Sequence, residues 1–203
     1  MNTTIWNPST LLEDASGTHQ VSLLTKQLAE RIIYITSPID DTVATSVISQ
    51  LLYLSRESNE DITILISSPG GSVVDGMAIY DAIQALEGKV TINMIGYGMV
   101  ASMAAVLLAS GHEGHRYLMP SAKLLIHEPL MNGGVGGSCT SIAETAEKIL
   151  ETKKMLCEVL AKHCHKSIKT IEKALKGGVD VILSPLEAIE FGAIDGIRTP
   201  FDN

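Results

Sequence analysis

The 203-residue chain is short of positive charge: 15 Lys and Arg stand against 23 Asp and Glu, for a formal charge of −8. No Lys/Arg cluster offsets that balance, so the sequence lacks the basic footprint of a nucleic-acid partner. Cysteine is sparse as well. Cys139, Cys157 and Cys164 are odd in number and confined to the second half, which argues against a disulfide framework and for reduced thiols. No C-x-x-C pair anchors a metal site, and Cys157, His163, Cys164 and His165 are neighbours on a helix that point to different faces. The first residues, M-N-T-T-I-W-N-P, contain no basic region followed by an apolar core. The expectation is therefore a cytoplasmic chain without a secretory signal. One uncharged run, Val90 to Gly111, has the length of a membrane span. Its first third reads as strand, its Gly and Ser gather in one turn, and His112, Glu113, His115 and Arg116 close it, so no membrane partner is expected.

What is present is apolar: 45% of residues are hydrophobic and the mean hydropathy is +0.23, as in one compact α/β domain spanning 1–203. Residues 1–20 are polar, carry no period and read as an irregular segment. R-I-I-Y-I-T (31–36) reads as a strand, with Asp40 or Asp41 placed to cap a helix over 42–55 whose apolar stripe includes Val43, Val47, Leu51 and Leu54. Ile62 to Ile66 is a continuous apolar run, the pattern of a strand buried on both faces of a parallel sheet. Gly70 and Gly71 turn the chain, and Ser72 caps a helix to about Leu86. Thr91 to Ile95 is the next strand, followed by Gly96, Gly98 and a helix with Ser102 in its first turns.

Two successive units thus share one design, and in a parallel sheet both turns emerge at the carboxyl edge, where open α/β sheets place their ligands. A serine held on rigid backbone beside a Gly-Gly turn with free N–H groups suits a nucleophile next to an oxyanion site. A third strand, Ala122 to Ile126, delivers His127 to the same edge. Asn132 to Ser138, N-G-G-V-G-G-S, lacks the spacing and Lys of a phosphate-binding loop. It introduces a long two-faced helix over 140–163, suited to packing on another subunit or on its own sheet. Farther on, Ser184-Pro185-Leu186-Glu187 is a capping box. Asp180, beside V-I-L, is expected to be partly buried and to need a partner such as a histidine N–H, with Asp195 a competing carboxylate.

Having these residues in order, the sequence closely resembles the ClpP family of ATP-dependent serine peptidases, from about Arg31 to Ile197. The markers are I-I-Y-I-T-S-P-I-D-D, I-S-S-P-G-G-S-V, G-M-V-A-S-M-A-A, L-L-I-H-E-P and D-V-I-L-S-P-L-E-A-I-E-F-G-A-I-D. The resemblance implies a crotonase-like α/β fold with stacked βα units and a protruding handle at 132–164. It implies Ser102 as nucleophile, His127 as base, Asp180 as orienting acid, and the N–H groups of Gly70 and Met103 as oxyanion hole, with no cofactor. It further implies stacked seven-membered rings as a homo-oligomer, or a hetero-oligomer with a paralogue. An AAA+ unfoldase would dock on the outside and feed it unfolded polypeptide. Ser67, Gly178–Val179, Thr63 and Leu65 depart from common family residues at contact positions. The alternatives are a low-activity structural or regulatory ring subunit, and a crotonase-like acyl-CoA enzyme without a serine triad.

Overall fold

The computed structural model describes residues 8–14, 17–131, 136–176 and 178–202. A hairpin of β1 (Ser9–Asp14) and β2 (Gly17–Ser22) leads into α1 (Leu23–Ala29). Then come β3 (Ile32–Ile35) with α2 (Asp41–Glu57), and β4 (Ile62–Ile66) with α3 (Val73–Gln84). A third unit has β5 (Ile92–Gly96), a short β6 (Met99–Ala101) and α4 (Met103–Ala109). The chain closes through β7 (Arg116–Leu118), β8 (Lys123–Ile126), α5 (Cys139–His163), α6 (Ile168–Ala174), β9 (Val181–Leu183), α7 (Pro185–Phe191) and β10 (Gly196–Ile197).

The main sheet is parallel throughout, in the order β10-β7-β5-β4-β3. Its central strands are apolar at nearly every position because helices cover both faces: Ile62, Ile64, Ile66, Ile92 and Met94 are all buried. α2 starts where Asp40 accepts from the Val43 N–H at 2.8 Å, and it buries Ala44, Val47, Leu51 and Leu54 at helical spacing. Ser72, Ser138, Ser167 and Ser184 cap α3, α5, α6 and α7 in the same way, the last with a reciprocal bond to Glu187.

Two expectations are corrected. The segment read as irregular over 1–20 contains β1 and β2 where it is described; residues 1–7 and 15–16 lie outside the described residues. The hairpin gave no signal because it is largely exposed and has no buried face to impose an alternating pattern. The strand before His127 does not join the main sheet either. It lies at the centre of a second sheet, β6-β8-β9, parallel to β6 and antiparallel to β9.

That second sheet gathers the candidate site. Parallel pairing of Ala101 with Leu125 sends Ser102 and His127 out of the same end. Antiparallel pairing of Ile126 with Val181 brings Asp180 to that end as well. Beyond it, α5 runs for 25 residues, about 37 Å at 1.5 Å per residue. Only its second half is buried, through Leu156, Cys157, Leu160 and Ala161. Of the glycine loop that precedes it, residues 132–135 lie outside the described residues.

Candidate active site

Ser102 sits immediately before α4 with φ 56° and ψ −126°, and its hydroxyl caps nothing. A non-glycine residue rarely adopts this conformation, so the surrounding backbone must impose it. The constraint comes from two sides. The Ser102 N–H donates to the Leu125 carbonyl at 2.8 Å, and the Ala101 N–H donates to that of Ser68 at 2.9 Å. The Gly70 turn then closes on the serine: a Cβ on Gly70 (φ +89°) would lie 2.5 Å from Ser102 Cβ and 2.8 Å from the Met103 nitrogen. Only glycine permits that approach. The sequence expectation of a strand, a turn and a serine missed β6, which holds the serine to β8.

Gly70, Gly71, Ser102, Met103, His127 and Leu130 share one cavity of about 320 Å³. Ser102 and His127, named from sequence as nucleophile and base, therefore line one cavity, with no hydrogen bond between them among the described residues. His127 Nδ1 lies against the carbonyl oxygen of Glu128. That oxygen can only accept, so Nδ1 carries the hydrogen and Nε2 keeps the basic lone pair. The Glu128 carboxylate is in turn held by Lys153 Nζ on α5 at 2.6 Å. That hydrogen bond keeps the Lys153 ammonium above its ordinary pKa in spite of partial desolvation.

The oxyanion assignment to Gly70 is revised. Its N–H donates to Ser68 Oγ at 3.1 Å, and that hydroxyl donates to the Ser37 carbonyl at 2.7 Å, so the donor is already engaged. Gly71 differs. Ile39 bridges to it through Ile39 N–H to Gly70 O and Ser72 N–H to Ile39 O, both 2.8 Å. In a parallel bridge the central residue's own N–H points away from the partner strand. The Gly71 N–H has no acceptor among the described residues, and neither has that of Met103, the first residue of α4. Which of two adjacent glycines is free depends on backbone direction, which the sequence does not display.

Asp180 is the residue that departs most from expectation. It is exposed and makes no side-chain hydrogen bond among the described residues, rather than being partly buried on a histidine N–H. β9 is an edge strand with its middle residue exposed, so its start lies at the rim instead of in the core. The ladder nevertheless places Asp180 next across from His127, one step beyond the pair Ile126 and Val181.

With this geometry in place, comparison with known proteins is decisive. The family model described as Clp protease matches residues 15–200. The chain belongs to the Clp protease family. A curated relative, the ATP-dependent Clp protease proteolytic subunit of Carsonella ruddii (strain PV), is 37% identical over 193 residues, covering 95% of this chain and 96% of its own length. The α/β fold with its parallel sheet is that of the family, and the chain is a serine-type protease.

Several other titratable groups of this Clp protease are engaged away from the cavity. Asp195, the competing carboxylate, accepts from Arg116 Nε at 2.9 Å and from its backbone N–H at 3.0 Å. Burial pushes its carboxyl up, but the Arg116 hydrogen bonds and charge outweigh this and hold it below the usual range. Cys157 and Cys164 are buried, and that burial pushes the Cys164 thiol up to about 11 and raises Cys157 too, which disfavours the thiolate at both. His163 Nε2 meets the Tyr80 hydroxyl at 3.1 Å. No cluster of three metal-ligating side chains occurs among the described residues. No described helix is long and apolar enough to cross a membrane. Sequence reasoning missed Ser68, Glu128 and Lys153; the one available signal was that H-E-P puts a carboxylate directly after the histidine.

Proposed function

We propose that this chain is a serine endopeptidase that cleaves unfolded polypeptides inside an oligomeric chamber, supplied by an AAA+ ATPase unfoldase. The observation that carries the reading is the placement of Ser102. A backbone conformation imposed from two sides holds it at the mouth of a cavity that His127 and two unengaged N–H groups also line. Ser102 Oγ attacks the peptide carbonyl while His127 Nε2 takes its proton and later returns it to the leaving amine. The N–H groups of Met103 and Gly71 receive the oxyanion, the Gly71 donor replacing the Gly70 donor named from sequence. Asp180, next across the ladder from His127, favours the imidazolium as it forms. The substrate binds as an extended strand beside the glycine loop, through backbone hydrogen bonds.

The form of α5 supports the chamber. Its first half buries no residue within the single chain, so its apolar stripe is left for another subunit. Stacked seven-membered rings of this chain, or of this chain and a paralogue, are the assembly we assign, and the name of the curated relative supports ATP dependence. The test is reaction with a fluorophosphonate probe followed by intact mass, on the wild type and on Ser102→Ala, each sized by light scattering. The wild type should gain one adduct per chain as an oligomer, and Ser102→Ala none. Equal labelling of both variants would remove Ser102 as nucleophile.

A further inference from the structure

We propose that Glu128 and Lys153 are a positioning pair that ties α5 to the imidazole of His127. The inference rests on the assignment of His127 as the base. Glu128 faces two ways: its main-chain oxygen accepts from His127 Nδ1, and its carboxylate receives Lys153 Nζ at 2.6 Å. Both side chains of the pair are only about one-quarter exposed, at 26% and 25%. Pro129 follows, which restricts Glu128 to extended backbone and so limits where its carbonyl can point. Asp180 has no side-chain partner in this arrangement. The Glu128 peptide is therefore what holds Nδ1 of the ring, and the same histidine lines the cavity together with Ser102. Lys153 stands one turn before Leu156, the first buried residue of α5, where the helix leaves the body of the chain. A displacement of the projecting half of α5 is thus transmitted to the histidine through one ion pair and one peptide group.

A pair that merely glued α5 down would affect assembly or folding. A pair that aims the base affects turnover at constant substrate binding. The experiment compares wild type, Lys153→Met, Lys153→Arg, Glu128→Gln and His127→Ala as full chains, at a concentration where light scattering shows the wild-type mass, with a fluorogenic peptide. Lys153→Met should lower kcat about tenfold or more, as expected when a catalytic group is misplaced, with KM within about twofold. Lys153→Arg should restore kcat to near wild type, because it keeps a donor for the carboxylate. If Lys153→Met does not assemble, Glu128→Gln is read in its place, with a smaller but measurable loss of kcat, because the amide oxygen still accepts from Lys153 but carries no charge. Wild-type kcat for the assembled Lys153→Met or Glu128→Gln enzyme overturns the proposal, as does a Lys153→Arg enzyme no better than Lys153→Met. Wild-type turnover by His127→Ala would instead remove His127 as base, and the pair's role with it.

Discussion

The backbone at Ser102 carries a cost that the rest of the site is built to hold. A non-glycine residue at φ 56° and ψ −126° stores strain of about 1–3 kcal/mol. Substitution separates that strain from the chemistry, since both Ser102→Ala and Ser102→Gly abolish the nucleophile but only glycine relaxes the backbone. Ser102→Gly should therefore be more stable than Ser102→Ala by about 1 kcal/mol, read from urea midpoints at equal protomer concentration. Equal midpoints would mean that the serine is not strained. Gly70→Ala makes the converse point. Its Cβ would fall 2.5 Å from Ser102 Cβ and 2.7 Å from the Ala101 oxygen, so it must push the nucleophile aside. Fluorophosphonate labelling should slow by about a hundredfold or more, and labelling at the wild-type rate would refute the close approach. At this scale the placement of Ser102 and His127 at one edge was legible because Gly96 and Gly98 turn the chain ahead of a helix start at the one and an apolar strand runs directly into the other. The choice between Gly70 and Gly71 was not, because it turns on a side-chain acceptor, Ser68 Oγ. Nor was the exposure of Asp180, because apolar neighbours in an edge strand do not bury the residue before it.

Among the elements, the end of α5 meets α3 through His163 and Tyr80. It meets the sheet through Arg116, which donates to the His163 carbonyl and is itself held by Asp195, so two groups titrate there in different pH windows. His163 is lowered to about 4 by burial, with Lys162 and Arg116 adding repulsion. The unfolded chain therefore binds a proton below about 6.5 that the folded chain refuses until about 4. Stability falls as pH drops through that interval and levels off beneath it. Asp195 shifts in the same downward direction and so has the same sign of effect: its depressed folded pKa contributes stability above the ordinary carboxylate value that is lost only in stronger acid. His163→Gln, which retains a partner for the Tyr80 hydroxyl, should flatten the decline of the urea midpoint between pH 6.5 and 4. If wild type and His163→Gln decline in parallel, the histidine is not the group being titrated. The long elements were legible, β4 to the residue and α5 within one, because continuous burial and a two-faced stripe leave strong patterns. β6 and β7 span three residues each, too short for any period to show. Their absence from the sequence reading is what merged two sheets into one.

For the molecule as a whole, the unresolved weight lies on the projecting half of α5. Ile142 is 42% exposed and Leu150 64% exposed in the single chain, while the same helix is well buried from Leu156 onward. A helix of this length with half its apolar stripe in water is favoured when something covers that stripe, and the occupant we propose is another subunit of the assembly. The prediction separates folding from assembly. Replacing both Ile142 and Leu150 by Glu at exposed positions should change the stability of the isolated subunit by no more than about 0.5 kcal/mol each, leaving its circular dichroism intact. Burial of four such charges where two subunits' stripes face one another is prohibitive. Light scattering should then report a smaller particle, and peptide turnover should fall with the mass, because α5 also carries Lys153 and through it the aim of His127. A double variant that retains the wild-type mass would place the subunit contact elsewhere on the chain.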